Sequence, residues 1–243
     1  MTITAIILLI GSGVVAGVVN TLAGAGSLLT VPILVLLGLP GNVANGTNRL
    51  GIFCHSAVAA WRFRAEGFSG FRQALPALLP IGVGSLIGAF VISGVADKTF
   101  ERLFGVVMVL MLVPIVWRPR VPAERRGSTV GSFVVFFLIG AYGGMFQAGV
   151  GLLLIFALSY AGYDLVRANS IKVVINALLT VAALPVFLAR GQVVWLPGLV
   201  LAVGYAVGGA LGVRLAVGLG ERVIRPALAA AVLALAGRMM GLY

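Results

Sequence analysis

Two short polar stretches interrupt a chain that is otherwise strongly apolar. Residues 42–49 read NVANGTNR, and residues 167–172 read RANSIK. Each stretch places amide or hydroxyl groups beside a cation. Amide and hydroxyl hydrogens can donate to an oxyanion, and a cation adds charge-assisted hydrogen bonds. The pattern therefore predicts a site for a small anion, with these main candidate ligands: Thr47, Asn48, Arg49, Ser170 and Lys172.

The same polar residues also permit a purely structural interpretation. Arg49 and Lys172 could extend to the lipid headgroups, as long cationic side chains near helix ends often do. Asn45 and Asn169 are further candidate ligands with amide donors, but the same two residues could instead cap the N-termini of helices.

Two glycine-rich breaks precede the polar stretches. Residues 23–27 read AGAGS and residues 148–151 read AGVG. Each is followed by an apolar run of about a dozen residues, or roughly 18 Å of helix, which cannot cross a hydrocarbon core of about 30 Å. We therefore expect each run to begin inside the membrane as half of a broken or re-entrant hairpin. The start of such a helix directs free N–H groups and a partial positive charge at its surroundings.

The residues at these two helix starts are candidate contacts for an anion, because glycine lets a ligand approach the backbone closely. They are Gly24, Gly26, Ser27, Gly149 and Gly151. Close packing of helices against the small residues is the alternative interpretation.

Both copies of the pattern belong to an internal repeat with an offset of 124 residues. At this offset Gly38 aligns with Gly162, and Asn45 aligns with Asn169. A duplicated apolar chain is typical of transporters whose site lies between the halves. We divide the chain into an N-terminal repeat, a basic cytoplasmic linker and a C-terminal repeat, which cover residues 1–117, 118–128 and 129–243.

Apolar runs predict about five helical segments in each half. The composition, 61% hydrophobic and 9% charged, indicates an all-α polytopic integral membrane protein, because soluble domains carry about 25% charged residues. Runs of this length favour helices over barrel strands. The predicted segments are 2–22, 27–38, 48–63, 74–95 and 103–117 in the first half, and 129–147, 151–162, 169–189, 194–218 and 226–240 in the second.

The basic residues in the predicted loops indicate an orientation. The net charge is +11, and cytoplasmic loops of membrane proteins are enriched in Lys and Arg. This rule is satisfied best if each hairpin returns to the side from which it came, so that the halves are inverted repeats. Both termini then lie outside the cytoplasm, in a multi-pass protein of the inner cell membrane. If each hairpin were one continuous span, the halves would be parallel. No basic cluster on a soluble face indicates nucleic-acid binding.

The sequence offers little for catalysis. It has one His and one Cys, no HExxH motif and no cluster of metal ligands, so we predict neither an enzyme nor a cofactor. No Asp or Glu falls in the middle of a predicted membrane segment, which favours an anionic over a cationic substrate. Gln147 and Asn176 could face a transport pathway, but interhelical hydrogen bonding would account for them equally well. His55 could carry a proton, although a lone His in such a segment is more often a packing residue.

The glycine break and the polar stretch also carry a family resemblance. Residues 24–32 read GAGSLLTVP, residues 38–40 read GLP and residues 44–49 read ANGTNR. In this order they resemble the sulfite exporter TauE/SafE family, also called the 4-toluene sulfonate uptake permease family. The second half carries a degenerate copy of the pattern. Ala25 and Ser27 stand where glycine is common in the family.

This resemblance implies transport of sulfite, organosulfonates or related small sulfur-containing anions. The sequence thus predicts a secondary transporter that works by alternating access around a central site between the repeats. An anion channel and a transporter of non-sulfur organic acids are the alternatives. The expected partners are the anionic substrate and the lipid bilayer, with a second copy of the chain, in a homodimer, as a possible third.

Overall fold

The computed structural model describes residues 1–116, 129–218 and 224–241. Every regular element in these residues is an α-helix, which confirms the predicted all-α class. The predicted linker 118–128 lies outside the described residues. In chain order, the helices are α1 (Ile3–Ala23), α2 (Ser27–Leu36), α3 (Gly41–Ala65), α4 (Phe71–Ile92), α5 (Asp97–Val116), α6 (Thr129–Met145), α7 (Val150–Tyr160), α8 (Leu165–Ala189), α9 (Trp195–Gly218) and α10 (Ile224–Met239).

Among the described helices, α1, α4, α8 and α9 are long and apolar enough to cross a membrane. Helices α2 and α7 have only 10 and 11 residues, so they are as short as predicted. Helix α3 has 25 residues, about 37 Å of helix, but it is more polar. Its polar side chains between Asn42 and Ser56 are buried against other helices rather than exposed to lipid.

The repeat seen in the sequence is also present in the backbone. Helices α3 and α8 both have 25 residues, and they begin 124 positions apart. Gly38 and Gly162 follow the two short helices with φ angles of 94° and 90°, and Gly67 and Gly191 follow α3 and α8 with angles of 85° and 66°. These left-handed conformations favour glycine, so equivalent helices end in the same way.

Three helices begin four to seven residues earlier than the apolar runs predicted. The third and eighth segments were predicted to start at residues 48 and 169, but α3 starts at Gly41 and α8 at Leu165. Helix α5 starts at Asp97 instead of residue 103. In α3 the additional polar residues are buried; polar residues continue a membrane helix where its polar face is buried in protein, and hydropathy along the sequence cannot reveal that burial. In α5 and α8 the additional turn carries exposed polar residues such as Asp97 and Arg167, which an apolar run does not include.

The helices form two bundles, and each bundle contains one helix from the other half of the sequence. Helices α1, α2 and α3 pack with α9, and we call this group the first bundle. Helices α6, α7 and α8 pack with α4, and we call this group the second bundle. Helices α5 and α10 pack on each other and also contact the first bundle. The first helix of each half therefore packs on the fourth helix of the other half.

Small residues bring α1 and α9 into close contact in the first bundle. A Cβ added to Gly17 would lie 2.8 Å from the carbonyl oxygen of Tyr205, and one added to Gly212 would lie 2.7 Å from Thr21. Residue numbers rise together along the two helices, so α1 and α9 are parallel. Helix α3 is parallel to α9 as well, because Gly51 lies against Tyr205 and His55 lies against Gly209.

The second bundle is built in the same way. A Cβ added to Gly140 of α6 would lie 2.5 Å from the carbonyl oxygen of Ile81, and Gly144 lies against Ser85. Helices α4 and α6 are therefore parallel. Apolar side chains of α4, α6, α7 and α8 form one hydrophobic cluster. A larger cluster centred on the first bundle also includes residues of the second bundle, among them Ile92, Leu152 and Phe187.

Helices α3 and α8, the equivalent helices of the two halves, provide the main contact between the bundles. Gly46 near the start of α3 lies against Phe187 near the end of α8, and Ser56 lies opposite Asn176. These pairs show that α3 and α8 run antiparallel.

The bundles also touch where the two glycine breaks meet. Gly24 has a φ of 71° at the C-terminus of α1. A Cβ at this position would overlap the carbonyl carbon of Gly151 in α7, and a Cβ at Gly151 would overlap the Cα of Gly24. The two backbones are therefore too close for any side chain larger than hydrogen.

We expect Gly24→Ala to destabilise the protein by about 2–4 kcal/mol, because it combines a clash with a backbone conformation that alanine disfavours. The melting temperature of the purified protein in detergent measures the effect. Gly11→Ala in α1 is the control, because nothing lies within 4 Å of its added Cβ. Equal melting temperatures for the two variants would contradict the close contact at Gly24.

Candidate functional site

Lys172 of α8 binds the C-terminal end of α1. The side chain is 1% exposed, and its Nζ donates to the carbonyl oxygens of Asn20 and Thr21 at 2.9 and 2.8 Å. The third hydrogen is donated to Asn169 Oδ1 at 2.6 Å. The last turn of a helix carries carbonyls without helical partners and a partial negative charge, which a cation stabilises. Lys172 thus points into protein, and the alternative of an extension to the headgroups is wrong.

Arg49 of α3 plays the equivalent part at the C-terminal end of α6. Its guanidinium is fully buried, with Nη1 donating to Gln147 Oε1 at 2.7 Å and Nη2 donating to the carbonyls of Gly143 and Gly144. The guanidinium carbon lies 4.4 Å from the ring centroid of Phe187, a cation–π contact. Arg49 Nε is buried without a hydrogen-bond partner. Arg49 therefore does not extend to the lipid headgroups either.

These two cations form a reciprocal pair between the halves. Arg49 belongs to the first half and binds the first helix of the second half, whereas Lys172 belongs to the second half and binds the first helix of the first. No Asp or Glu side chain is buried in the described part of the chain. The partial charges of helix carbonyls are therefore the partners of both cations, and the interior keeps an excess of positive charge.

The two polar stretches lie at different depths along the α3–α8 contact. Arg49 packs on Phe187, which follows Lys172 by fifteen residues, or about 22 Å along α8. Thr47, Asn48 and Arg49 therefore lie at one level of this contact, and Ser170 and Lys172 lie at another.

Asn45 and Asn169 are not N-caps of their own helices. Helix α3 follows Pro40, and α8 is capped by Asp164, whose side chain accepts from the Arg167 N–H. Asn45 Nδ2 instead donates at 2.8 Å to the carbonyl of Met145, the last residue of α6. The capping alternative is wrong because both residues lie inside helices that begin earlier than predicted.

Asn48 lies beside the first turn of α2. Its Oδ1 accepts a 2.7 Å hydrogen bond from Thr30 Oγ1, which is 2.9 Å from the hydroxyl of Tyr205. This hydroxyl also bonds Ser27, the first residue of α2. Asn48 Nδ2 is buried without a partner, and no side chain caps the N-terminus of α2. The N–H groups of Leu28 and Leu29 donate to the carbonyls of Ala25 and Gly26, so Asn48 Nδ2 is the unused side-chain donor beside this helix start.

The hydroxyls of Thr47 and Ser170 have structural partners. Thr47 Oγ1 accepts from the N–H of Val194, just before α9, at 3.0 Å. Ser170 Oγ donates to the carbonyl of Arg167 at 2.8 Å. The Thr47 hydroxyl hydrogen therefore stays available for a ligand, whereas that of Ser170 is already used.

The glycines of the two breaks pack against protein. Gly24 and Gly151 contact each other, Gly26 lies against α1, and Gly149 lies against Met111. Close packing therefore accounts for their small size. The start of α7, like that of α2, has no side-chain cap.

His55 joins the C-terminal end of α1 by a complete hydrogen-bond chain. Its Nδ1 lies 3.1 Å from Asn20 Nδ2, and its Nε2 lies 2.9 Å from Thr21 Oγ1. An amide nitrogen can only donate, so Nδ1 accepts and Nε2 carries the hydrogen. Thr21 Oγ1 then donates to the carbonyl of Gly17 at 3.0 Å. This chain describes a neutral imidazole held in one tautomer.

Gln147 and Asn176 meet in a second buried polar cluster. Gln147 Nε2 donates to Thr180 Oγ1 at 2.8 Å and to Asn176 Oδ1 at 3.3 Å. Asn176 Nδ2 is 3.5 Å from Ser56 Oγ across the contact between bundles. Gln147 also has a positive φ of 57°, which a residue in a helix break can adopt.

Four polar residues of the site are inconspicuous in the sequence: Thr30, Tyr205, Asn20 and Thr21. Each lies in an apolar segment, where one polar residue is a weak signal. A usable signal is a difference between the repeats, because Thr30 aligns with Leu154 and Tyr205 with Ile81. A polar residue present in one half alone is not needed by the shared fold.

We expect Lys172→Met to lower the free energy of unfolding by about 1–3 kcal/mol, because helix carbonyls at the end of α1 lose their donor. Thermal unfolding in detergent measures the change. Arg167→Met in the same helix is the control, because its ion pair with Asp164 is exposed and contributes little. A Lys172→Met protein as stable as the parent would contradict the capping of α1.

Comparison with known proteins agrees with this architecture. The profile of the family described as "Sulfite exporter TauE/SafE" matches residues 9–239. A "Probable membrane transporter protein ORF9" of Sinorhizobium sp. is 27% identical over 231 residues, which cover 93% of this chain and 88% of that protein. A "Probable membrane transporter protein" of Haemophilus influenzae is 27% identical over 220 residues, 88% of this chain and 86% of that protein.

A more distant relative comes from an archaeon. A probable membrane transporter protein of Methanocaldococcus jannaschii is 24% identical over 212 residues, 82% of this chain and 76% of that protein. The family match spans nearly the whole chain, and these relatives are described as transporters rather than enzymes. The chain therefore belongs to the sulfite exporter TauE/SafE family of multi-pass membrane transporters.

Proposed function

We propose that this protein is a secondary transporter of a small anion, with sulfite, an organosulfonate or a related sulfur-containing anion as its substrate. The family description names sulfite, and the buried charges of the described residues are the cations Arg49 and Lys172 without a buried acid. A positive interior favours an anion over a cation. A transporter of non-sulfur organic acids is the alternative on the same chemistry.

One observation carries the choice of site, namely the unused amide donor of Asn48 beside the start of α2. Asn48 Nδ2 is buried without a partner, while Asn48 Oδ1 accepts from Thr30 in the first turn of α2, whose N-terminus has no side-chain cap. A buried donor without a partner costs free energy that a bound acceptor would recover. An oxyanion that accepts from Asn48 Nδ2, close to the partial positive charge at the N-terminus of α2, would fit this position.

We propose further that the halves are inverted repeats in the inner membrane. Helices α1 and α3 are both parallel to α9, so the short helix α2 between them must lead back towards the side where α1 began. Each half then crosses the membrane an odd number of times. The antiparallel course of α3 and α8 supports the same relation, because equivalent helices of parallel repeats would run in the same direction.

Thermal stabilisation of the purified protein tests the substrate class. Sulfite, sulfate, thiosulfate, acetate and small sulfonates are compared at up to millimolar concentration. A ligand that binds only the folded state must raise the melting temperature. We expect a selective increase with a sulfur oxyanion or a sulfonate. An increase with acetate alone would favour organic acids, and no increase with any anion would contradict the proposed function.

Asn48→Asp tests the site with an almost isosteric change. The carboxylate can still accept from Thr30 but loses the amide donor and repels an anion, so we expect binding to weaken about 10- to 100-fold. The shift in melting temperature against ligand concentration measures the affinity. Gln73→Glu on the exposed start of α4 is the control, because it makes the same chemical change away from the site. Equal affinities for the two variants would remove Asn48 from the site.

Counterflow separates a transporter from an anion channel. In proteoliposomes, unlabelled substrate on the inner side should accelerate uptake of labelled substrate if one site alternates between the two sides. A channel gives no such acceleration.

Thiol labelling tests the orientation. With Cys54 replaced by serine, a cysteine at the N-terminus should react with a membrane-impermeant thiol reagent added to intact cells. The proposed inverted arrangement and the positive-inside rule together predict that both termini lie outside. Labelling that requires cell lysis would reverse the orientation.

A further inference from the structure

The polar contacts between the two bundles are few, and they concentrate at the two cations. From the first bundle, Arg49 reaches the end of α6. From the second bundle, Lys172 reaches the end of α1. Each cation thus connects two bodies that otherwise meet mainly along α3 and α8.

One asparagine accompanies each cation, and the two asparagines occupy equivalent positions in the repeat. Asn45, on the same helix as Arg49, donates to the carbonyl of Met145 in the other bundle. Asn169, the repeat partner of Asn45, accepts from Lys172 Nζ and so positions it. Each connection therefore consists of one cation and one asparagine.

The two connections lie on opposite sides of a midpoint. Ser56 and Asn176 face each other across the α3–α8 contact. Arg49 precedes Ser56 by seven residues, about 10 Å, and Lys172 precedes Asn176 by four residues, about 6 Å. Because α3 and α8 are antiparallel, these displacements point in opposite directions. Arg49 therefore closes the bundle contact on the side where α3 begins, and Lys172 closes it on the side where α8 begins.

We propose that Arg49 and Lys172 are paired gate residues between two moving bundles, and that release of each opens the protein to a different side of the membrane. The moving bodies are the bundles that exchange α4 and α9, not the two sequence halves. Release of a cation from helix carbonyls frees donors that an incoming anion can use, so substrate can compete for the gate. This proposal deepens the transport function proposed above and rests on it.

Thiol accessibility at the midpoint tests the gates without a substrate. In full-length protein with Cys54 replaced by serine, Ser56→Cys provides a reporter at a site that is fully buried. A membrane-impermeant methanethiosulfonate reagent is applied to right-side-out and to inside-out membrane vesicles. We expect slow labelling from both sides before either gate is changed.

Arg49→Met should raise the labelling rate about tenfold or more from one side, and Lys172→Met should do so from the opposite side. With the proposed orientation, Arg49→Met opens towards the outside and Lys172→Met towards the cytoplasm. If Arg49→Met were labelled faster from the cytoplasmic side and Lys172→Met from the outside, the gates would be supported and only the proposed orientation would be overturned. Labelling of both variants from the same side, from both sides equally, or no faster than the parent would overturn the proposal.

Arg190→Met is the matched control. Arg190 is exposed, and its guanidinium carbon lies 5.3 Å from the ring centroid of Phe90 in α4. Both residues belong to the second bundle, so loss of this cation should leave the reporter unreactive from either side. A rise equal to that of Arg49→Met would mean that any lost cation loosens the fold.

Asn45→Ala and Asn169→Ala repeat the test with the cations in place, should the methionine variants fail to reach the membrane. Asn45→Ala should give the sidedness expected of Arg49→Met, and Asn169→Ala that of Lys172→Met, with smaller increases. Faster labelling from opposite sides would support the gates, and labelling from the same side, from both sides equally or no faster than the parent would overturn them. Because no anion takes part, a failure of the gates is distinguishable from a failure of the melting experiment with anions.

Discussion

The fold depends on one constraint, which is that helix ends at membrane depth must find their hydrogen-bond partners within the protein. An unpartnered backbone group in hydrocarbon costs several kcal/mol. The last four carbonyls of α6, from Tyr142 to Met145, all accept hydrogen bonds, two from backbone N–H groups after the helix and the others from Arg49 and Asn45. The end of α1 receives Lys172 in the same way. Broken helices are tolerated here because cationic and amide side chains terminate them.

This way of terminating helices also determines the charge of the interior. Carbonyls offer a cation only partial negative charge, so Arg49 and Lys172 can be buried without carboxylates. An interior that contains buried carboxylates would bind cations, whereas one with buried cations and unused amide hydrogens favours anions. The same side chains therefore stabilise the fold and, in the transport function proposed above, favour an anionic substrate. Asn48, with one amide atom bound to Thr30 and the other free, shows both roles in one residue.

Exchange of α4 and α9 between the repeats makes each bundle a mixture of both halves. Most of the close glycine contacts lie within the bundles, between α1 and α9 and between α4 and α6. Between the bundles lie the antiparallel pair α3 and α8, the meeting of Gly24 with Gly151, apolar side chains such as Phe187 and a few polar ties. Glycine-mediated backbone packing within a bundle resists deformation, whereas the boundary with few polar ties is where the two bundles can separate. Dividing the chain at the linker, residues 118–128, would separate α9 from the first bundle and α4 from the second.

The sequence by itself determined the helical membrane class, the two short helices, the repeat with its glycine positions and the family. These properties follow from hydropathy, segment length and backbone conformation, which are local. It also drew attention to Arg49 and Lys172, since a cation in an apolar chain is conspicuous. Only the tertiary structure decided what those cations bind, because their acceptors lie about 100 to 150 positions away in the chain. It also decided that the polar stretches continue helices and that the repeats exchange helices, because burial of a polar face and the choice of packing partner depend on residues distant in sequence.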